Sequence, residues 1–304
     1  MAIINSILPV FLIIGIGYFL KRKSVISENT DMFLNNLAYY FVLPCMIFAS
    51  IYKLPFRDIF YIESIIGIYI ATFSVFLFSL ALSFFLKHKK RGAFVTSSFR
   101  SNVAYIGFPI ALSLFGQEGL AKISVITGFM GAFIVTVSVI YLSLIDRKEG
   151  KKENPVMILV KDPLILTCIA ALVFSYYKIW MPEFIFNTID MVSYMGAPLM
   201  LLAVGSGLKI ESIKKDRVLL GVISFIKLLI LPLVAVLIFK YVVIIGDKVN
   251  FAIAVLTVTC PTALSSYILV KKYHSDHELC ASSITITTIL SMFTIFGWVF
   301  FMIS

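Results

Sequence analysis

Arg100 and Asn102 stand two residues apart inside one apolar segment, Lys227 stands inside another, and a short motif occurs twice, PIALS at 109–113 and PTALS at 261–265. An arginine presents a planar fork of donors that matches a carboxylate in two places at once. Asn102 can donate and accept, so it can meet a ligand oxygen or cap a helix break. Lys227 can hold a second acidic group or act as a fixed counter-charge. The prolines add a third element. Within a helix, proline removes a backbone donor and clashes with the carbonyl four residues earlier, at a cost of ~3 kcal/mol. Pro109 would free the carbonyl of Tyr105 and Pro261 that of Thr257, each among small or polar residues: Ser101, Asn102 and Gly107 in one case, Thr259, Cys260, Thr262, Ser265 and Ser266 in the other. A half-helix that starts after a break points free N–H groups and a positive dipole end outward, which suits an anion, while unwound carbonyls suit a cation. The alternatives are an ordinary proline kink at either site and an Arg100 that snorkels to the nearer interface.

These residues need elements that can hold them in an apolar setting. Of the 304 residues, 60% are hydrophobic and 14% charged, against roughly 25% charged in soluble domains, and the mean hydropathy is +1.01. Such a composition excludes a soluble globular domain and implies an all-α integral membrane protein. The bilayer core demands ~20 mostly apolar residues per helix. Ten segments qualify, roughly 3–20, 33–51, 60–86, 93–115, 120–145, 156–177, 188–208, 218–240, 249–270 and 279–302. They are too long and continuous for barrel strands.

The net charge of +10 would point to nucleic acid in a soluble chain, but here the basic residues cluster between apolar runs. No nucleic-acid partner is expected, and the charges report orientation. One set of alternate loops carries eighteen of them, from Lys21, Arg22 and Lys23 to Lys271 and Lys272; the other set carries six, Lys53, Arg57, Lys122, Lys178, Lys240 and Lys248. The positive-inside rule makes the first set cytoplasmic and both termini extracytoplasmic, in a multi-pass protein of the inner (plasma) membrane.

The repeated motif has companions. LPCMIFAS at 43–50 and APLMLLAVG at 197–205 align Pro44 with Pro198 at an offset of 154, close to the 152 between Pro109 and Pro261. The expected organisation is a first five-helix repeat over 1–146, a cytoplasmic linker over 147–155 and a second repeat over 156–304. Five spans per half insert the second half upside down, an inverted repeat in which broken spans four and nine cross near the membrane middle. Chance similarity between Leu-rich segments is the alternative.

No Asp or Glu lies deep in a span, whereas a sodium or proton antiporter built on crossed helices would be expected to offer one. Glu63 and Asp190 fall near span ends, where solvent is expected. Tyr105, Tyr267, Tyr39, Tyr40 and Ser50 are further polar groups able to line a cavity or to sit in an interfacial belt. The four cysteines read as small packing residues, and His274 and His277 as a solvated loop rather than a metal pair. Nothing marks a phosphate-binding loop or a hydrolase motif, so neither a catalytic residue nor a cofactor is expected and the chain is not read as an enzyme.

The ordered motifs FLIIGIGYFLKRK, NNLAYYFVLPCMIFAS, NVAYIGFPIALSLFG and CPTALSSYILVKKYHSDHEL resemble those of the auxin efflux carrier family, whose bacterial branch is often described as malate or malonate permeases. The resemblance covers nearly the whole chain. It implies a ten-helix inverted repeat with scaffold and transport bundles, an elevator-like motion and a homodimer, and it places Asn102, Pro109 and Pro261 at the crossover. Where family members often carry Asn after the second proline, this chain has Ser265 and Ser266. The expected substrate site comprises Arg100, Asn102, Tyr105, Pro109, Lys227, Pro261, Thr262, Ser265 and Ser266, and the expected function is secondary transport of small mono- or dicarboxylates, with H+ or Na+ as open choices of coupling ion. A sodium-coupled bile-acid-type symporter and a membrane sensor without transport are the competing readings.

Overall fold

The computed structural model describes residues 2–146, 155–210, 213 and 216–303. Most of the linker expected at 147–155, with Arg147, Lys148, Lys151 and Lys152, lies outside the described residues, as do Lys214 and Lys215. The described chain is helical. It begins with α1 (Ala2–Arg22), α2 (Glu28–Leu37), α3 (Leu43–Tyr52), α4 (Phe56–Ile59), α5 (Ile62–Ser83) and α6 (His88–Phe99). The middle of the chain forms α7 (Phe108–Ile145), α8 (Pro155–Lys161), α9 (Pro163–Tyr177), α10 (Glu183–Ser193) and α11 (Gly196–Ser206). It closes with α12 (Arg217–Phe225), α13 (Leu231–Tyr241), α14 (Lys248–Thr259), α15 (Ser265–Lys272) and α16 (His277–Ile303).

Short polar side chains set several of the starts. Ser27 accepts from Thr30 N–H at 3.1 Å, and Asp247 from Asn250 N–H at 2.7 Å. Asp162 accepts from Leu164 N–H at 2.9 Å with Pro163 at the first helical position. Each of these oxygens meets a donor that the first turn cannot pair internally.

Among the described residues, seven helical stretches are long and apolar enough to cross a membrane, or eight if Pro155–Lys161 and Pro163–Tyr177, bent by 60°, form one span. The expected ten are not reached by length, for three local reasons. Residues expected as two spans, 93–115 and 120–145, share the run Val103–Ile145, which turns at Gly116 with φ 64° and ψ −154°. Glycine is the residue that adopts this conformation without a Cβ penalty. The expected fourth and ninth spans are each broken, so α6 and α14 have only 12 residues apiece.

Three five-residue π turns, Ala38–Val42, Val103–Gly107 and Ile226–Ile230, each end two residues before a proline: Pro44, Pro109 and Pro232. The wider turn draws the earlier carbonyls away from the pyrrolidine ring, which relieves the clash that proline makes in a regular helix. The carbonyl that Pro232 leaves without a helical donor, that of Leu228, accepts the indole N–H of Trp298 at 2.9 Å.

The chain divides into two compact units. The first comprises the described residues of Met1–Ile62, Ala104–Phe129 and Val160–Gly207, the second those of Glu63–Val103, Met130–Leu159 and Leu208–Ser304. In the first unit α1 lies directly on α11. A Cβ on Gly17 would collide with the backbone of Leu202, and one on Gly205 with the carbonyl of Ile14. Bare glycine surfaces let the two backbones approach, as small residues do at helix interfaces in membranes. Aromatic rings of Phe48, Tyr52, Phe174 and Phe186 pack α3 against α9 and α10, and Lys53 pairs with Asp190 at 2.9 Å at the rim of this cluster. In the second unit α5 meets α13 at Gly67, where a Cβ would strike the ring of Phe239. Glu63 is exposed in the first turn of α5.

Candidate functional site

In the second unit the chain crosses itself where α6 and α14 end. After Phe99, Arg100 is extended at φ −78° and ψ 128°; after Thr259, Cys260 is extended at φ −61° and ψ 146°. The two extended stretches pair as a single antiparallel bridge between Ser101 and Thr262, the one isolated bridge among the described residues. Asn102 N–H donates to the Pro261 carbonyl at 2.8 Å, and Ala263 N–H to the Arg100 carbonyl at 3.2 Å.

Other groups at the breaks are satisfied from further afield. Thr262 donates its hydroxyl to the Ser97 carbonyl in the last turn of α6 at 2.8 Å, and its N–H to Thr287 Oγ1 on α16 at 3.1 Å. Unpaired buried backbone groups cost about as much as a lost hydrogen bond, so this lacing lets non-helical chain persist inside an apolar bundle.

The break in the ninth expected span falls at Pro261. In the fourth it falls at Arg100–Asn102, ahead of Pro109 and not at it, because the π turn Val103–Gly107 absorbs the proline. Pro109 lies at the start of α7 in the first unit. Tyr105 is also in that unit, where its hydroxyl donates to the Asn35 carbonyl at 3.4 Å. The other seven expected residues, Arg100, Asn102, Lys227, Pro261, Thr262, Ser265 and Ser266, belong to the second unit.

Arg100 does not snorkel outward. It is 4% exposed and donates through Nε to Ser266 Oγ at 3.1 Å, through one terminal nitrogen to Ser138 Oγ at 3.0 Å and through the other to Ser265 Oγ at 2.9 Å. Ser265 and Ser266 are the first two residues of α15, so the guanidinium and the positive end of that helix occupy one place. Three hydroxyls orient the fork without adding negative charge, and two like-signed features side by side favour an anion there.

Asn102 is 5% exposed, and its side-chain nitrogen has no hydrogen-bond partner among the described residues. Burying an amide donor without a partner is unfavourable by about 1–3 kcal/mol. The crossing of the main chain therefore carries one buried donor that no described group meets.

Lys227 is fully buried and approaches the crossing from the π turn Ile226–Ile230. Its ammonium donates to Ser101 Oγ at 2.7 Å and to the Val258 carbonyl at 3.1 Å. Ser138, which the sequence reading did not include, also accepts from Arg100; a serine in a Leu- and Val-rich helix carries no signal of its own.

The remaining polar candidates hold the structure in other ways. Tyr39 donates to Asp162 at 2.7 Å, Ser50 to the Ile47 carbonyl at 2.9 Å, and Tyr267 lies beside Lys209 and Lys271. All four cysteines are free, three of them buried. His274 meets Asp146 at 3.3 Å, and no group of three metal-ligating side chains occurs among the described residues.

Comparison with known proteins agrees with a chain built for the membrane. An uncharacterized transporter of Methanocaldococcus jannaschii is 28% identical, with 97% of this chain and 98% of the relative aligned. A protein of Rhizobium meliloti named "Putative malonate transporter" is 25% identical over 97% of this chain and 94% of its own length. The uncharacterized transporter YfdV of Escherichia coli K12 is 19% identical over 98% and 96%. Residues 2–299 match the family described as membrane transport protein. The chain therefore belongs to this family, the auxin efflux carriers that its motifs resemble, and is a multi-pass membrane transporter.

Proposed function

We propose that the chain is a secondary carrier of small organic anions, mono- or dicarboxylates, and that one carboxylate is held where the fourth and ninth spans cross. In this reading the ten spans form two inverted halves, 1–146 and 156–304, with both termini extracytoplasmic in the plasma membrane. Transport proceeds by movement of one helix bundle against another within a homodimer.

The observation that carries the proposal is the buried, unpartnered amide nitrogen of Asn102 at the main-chain crossing. Arg100 and the start of α15, with Ser265 and Ser266, supply the positive charge and hydroxyl donors that a carboxylate needs. Pro261 and Thr262 keep the ninth span open, and the extended stretch Arg100–Asn102 does the same for the fourth. The relative named for malonate supports a short dicarboxylate as the first substrate to try. The work is binding and release, so no catalytic step is proposed. Moving one elementary charge through the membrane potential is worth about 2.3 kcal/mol per 100 mV, so net efflux of an anion is driven by the field itself.

The test is counterflow of labelled malonate in proteoliposomes preloaded with unlabelled malonate, malate, succinate, lactate or indole-3-acetate. At least one carboxylate is expected to drive accumulation of label above that in empty liposomes. Folded protein that exchanges none of them would contradict the proposal.

A further inference from the structure

Crossed broken helices present two kinds of charge. The starts of the following helices are positive and suit the anion; the ends of the preceding helices are negative and suit a cation. At the end of α14 the Val258 carbonyl and, from the other extended stretch of the crossing, the Ser101 hydroxyl are neutral oxygens of the kind that contribute to an alkali-ion seat. Here those two oxygens accept from Lys227 Nζ, at 3.1 and 2.7 Å.

The lysine is held in place from both directions along its helix. It lies in the π turn Ile226–Ile230, which Pro232 follows, and the adjacent Leu228 carbonyl is fixed by Trp298. Among the described residues no carboxylate forms an ion pair with it. Its bonds are to a helix end and a hydroxyl, so its charge is directed at the crossing.

We propose that the Lys227 ammonium is a resident cation: it fills the oxygen seat at the end of α14 that a sodium ion would otherwise occupy, and the carrier therefore runs without sodium. The amine is tethered to its helix, so it stays at the seat through the cycle and leaves no place there for a coupled metal ion. This goes beyond the proposed function, which leaves the coupling ion open, and rests on it only for the consequence in transport.

The test needs no substrate. Melting temperatures of the purified full-length chain are measured in sodium chloride and in choline chloride at equal ionic strength, for the parent, Lys227→Ala and Lys227→Met. The parent is expected to melt at one temperature in both salts. Lys227→Ala, which opens the seat, is expected to melt several degrees lower in choline and to recover in sodium with a saturable dose dependence. Lys227→Met fills the volume without the charge and is expected to melt below the parent in both salts.

A parent stabilised by sodium over choline would overturn the proposal. So would a folded Lys227→Ala that is indifferent to the cation, or a Lys227→Met as stable as the parent. If Lys227→Ala does not fold in either salt, the parent and Lys227→Met still decide the matter. Failure to carry any anion would sink the proposed function while leaving these melts to be read on their own.

Discussion

Replacing Arg100 with Gln is expected to lower carboxylate transport at least ~10-fold while leaving the protein folded. The guanidinium is one of two buried cationic groups at the crossing, and charge-assisted hydrogen bonds contribute ~1.5–3 kcal/mol, about 10- to 100-fold in affinity. The stability effect is expected to be small. Gln loses bonds to the serine hydroxyls, but it also removes a buried charge whose desolvation opposes folding. Arg100→Lys is expected to be intermediate, because a point charge on a flexible stem cannot reach Ser138, Ser265 and Ser266 together. Initial rates in proteoliposomes, with melting curves alongside, separate the two effects. A Gln variant that transports at the parent rate would remove Arg100 from the site.

The largest structural effect is expected from Gly205→Leu. The backbones of α1 and α11 approach so closely at this point that even a Cβ meets the Ile14 carbonyl, which no rotamer choice relieves. Overpacking typically destabilises by 1–3 kcal/mol and by more where backbone must move. A loss of about 3 kcal/mol corresponds to a drop of roughly 10 °C in melting temperature for a unit of this size. Gly15→Leu is the control: a Cβ there has no atom within 4 Å, and the same added side chain is expected to change little. Equal melting temperatures for the two variants would show that the close approach at Gly205 is not needed for stability.

Much of this architecture is legible in the residues alone. The apolar runs placed most helix ends within a few residues, because an apolar interior leaves a chain few ways to satisfy its backbone. The run expected at 218–240 is the helical stretch Arg217–Tyr241, and that expected at 279–302 is α16. The interruption at Pro261 was readable from proline chemistry. The interruption at Arg100–Asn102 was not, because it is made by main-chain pairing with Thr262, more than 150 residues away in sequence. Proline marks where a regular turn is unfavourable, but a π turn can absorb it, as happens before Pro109 and Pro232.

The shell of Arg100 was equally hidden. Ser265 and Ser266 were candidates by position, yet their role as acceptors of the guanidinium depends on a fold-level contact. The same holds for Lys227, where the sequence left open a second acidic group of the substrate or a counter-charge to the broken helices. Its bonds to Ser101 and Val258 favour the latter. Gly17 and Gly205 carry a signal that was available, small residues in two helices of corresponding glycine content, but only their juxtaposition shows which backbone each one admits.

The most direct test of an anion site at the crossing is the substrate-induced current of reconstituted protein on a solid-supported membrane, parent against Asn102→Ala. The amide nitrogen of Asn102 bonds to no other described group, so truncating it breaks no side-chain donor contact of the fold and removes one donor from the site. The account predicts a carboxylate-dependent current in the parent that falls by roughly 10-fold or more in Asn102→Ala, with unchanged melting temperature. A carboxylate current of the same size and concentration dependence in both proteins would contradict it.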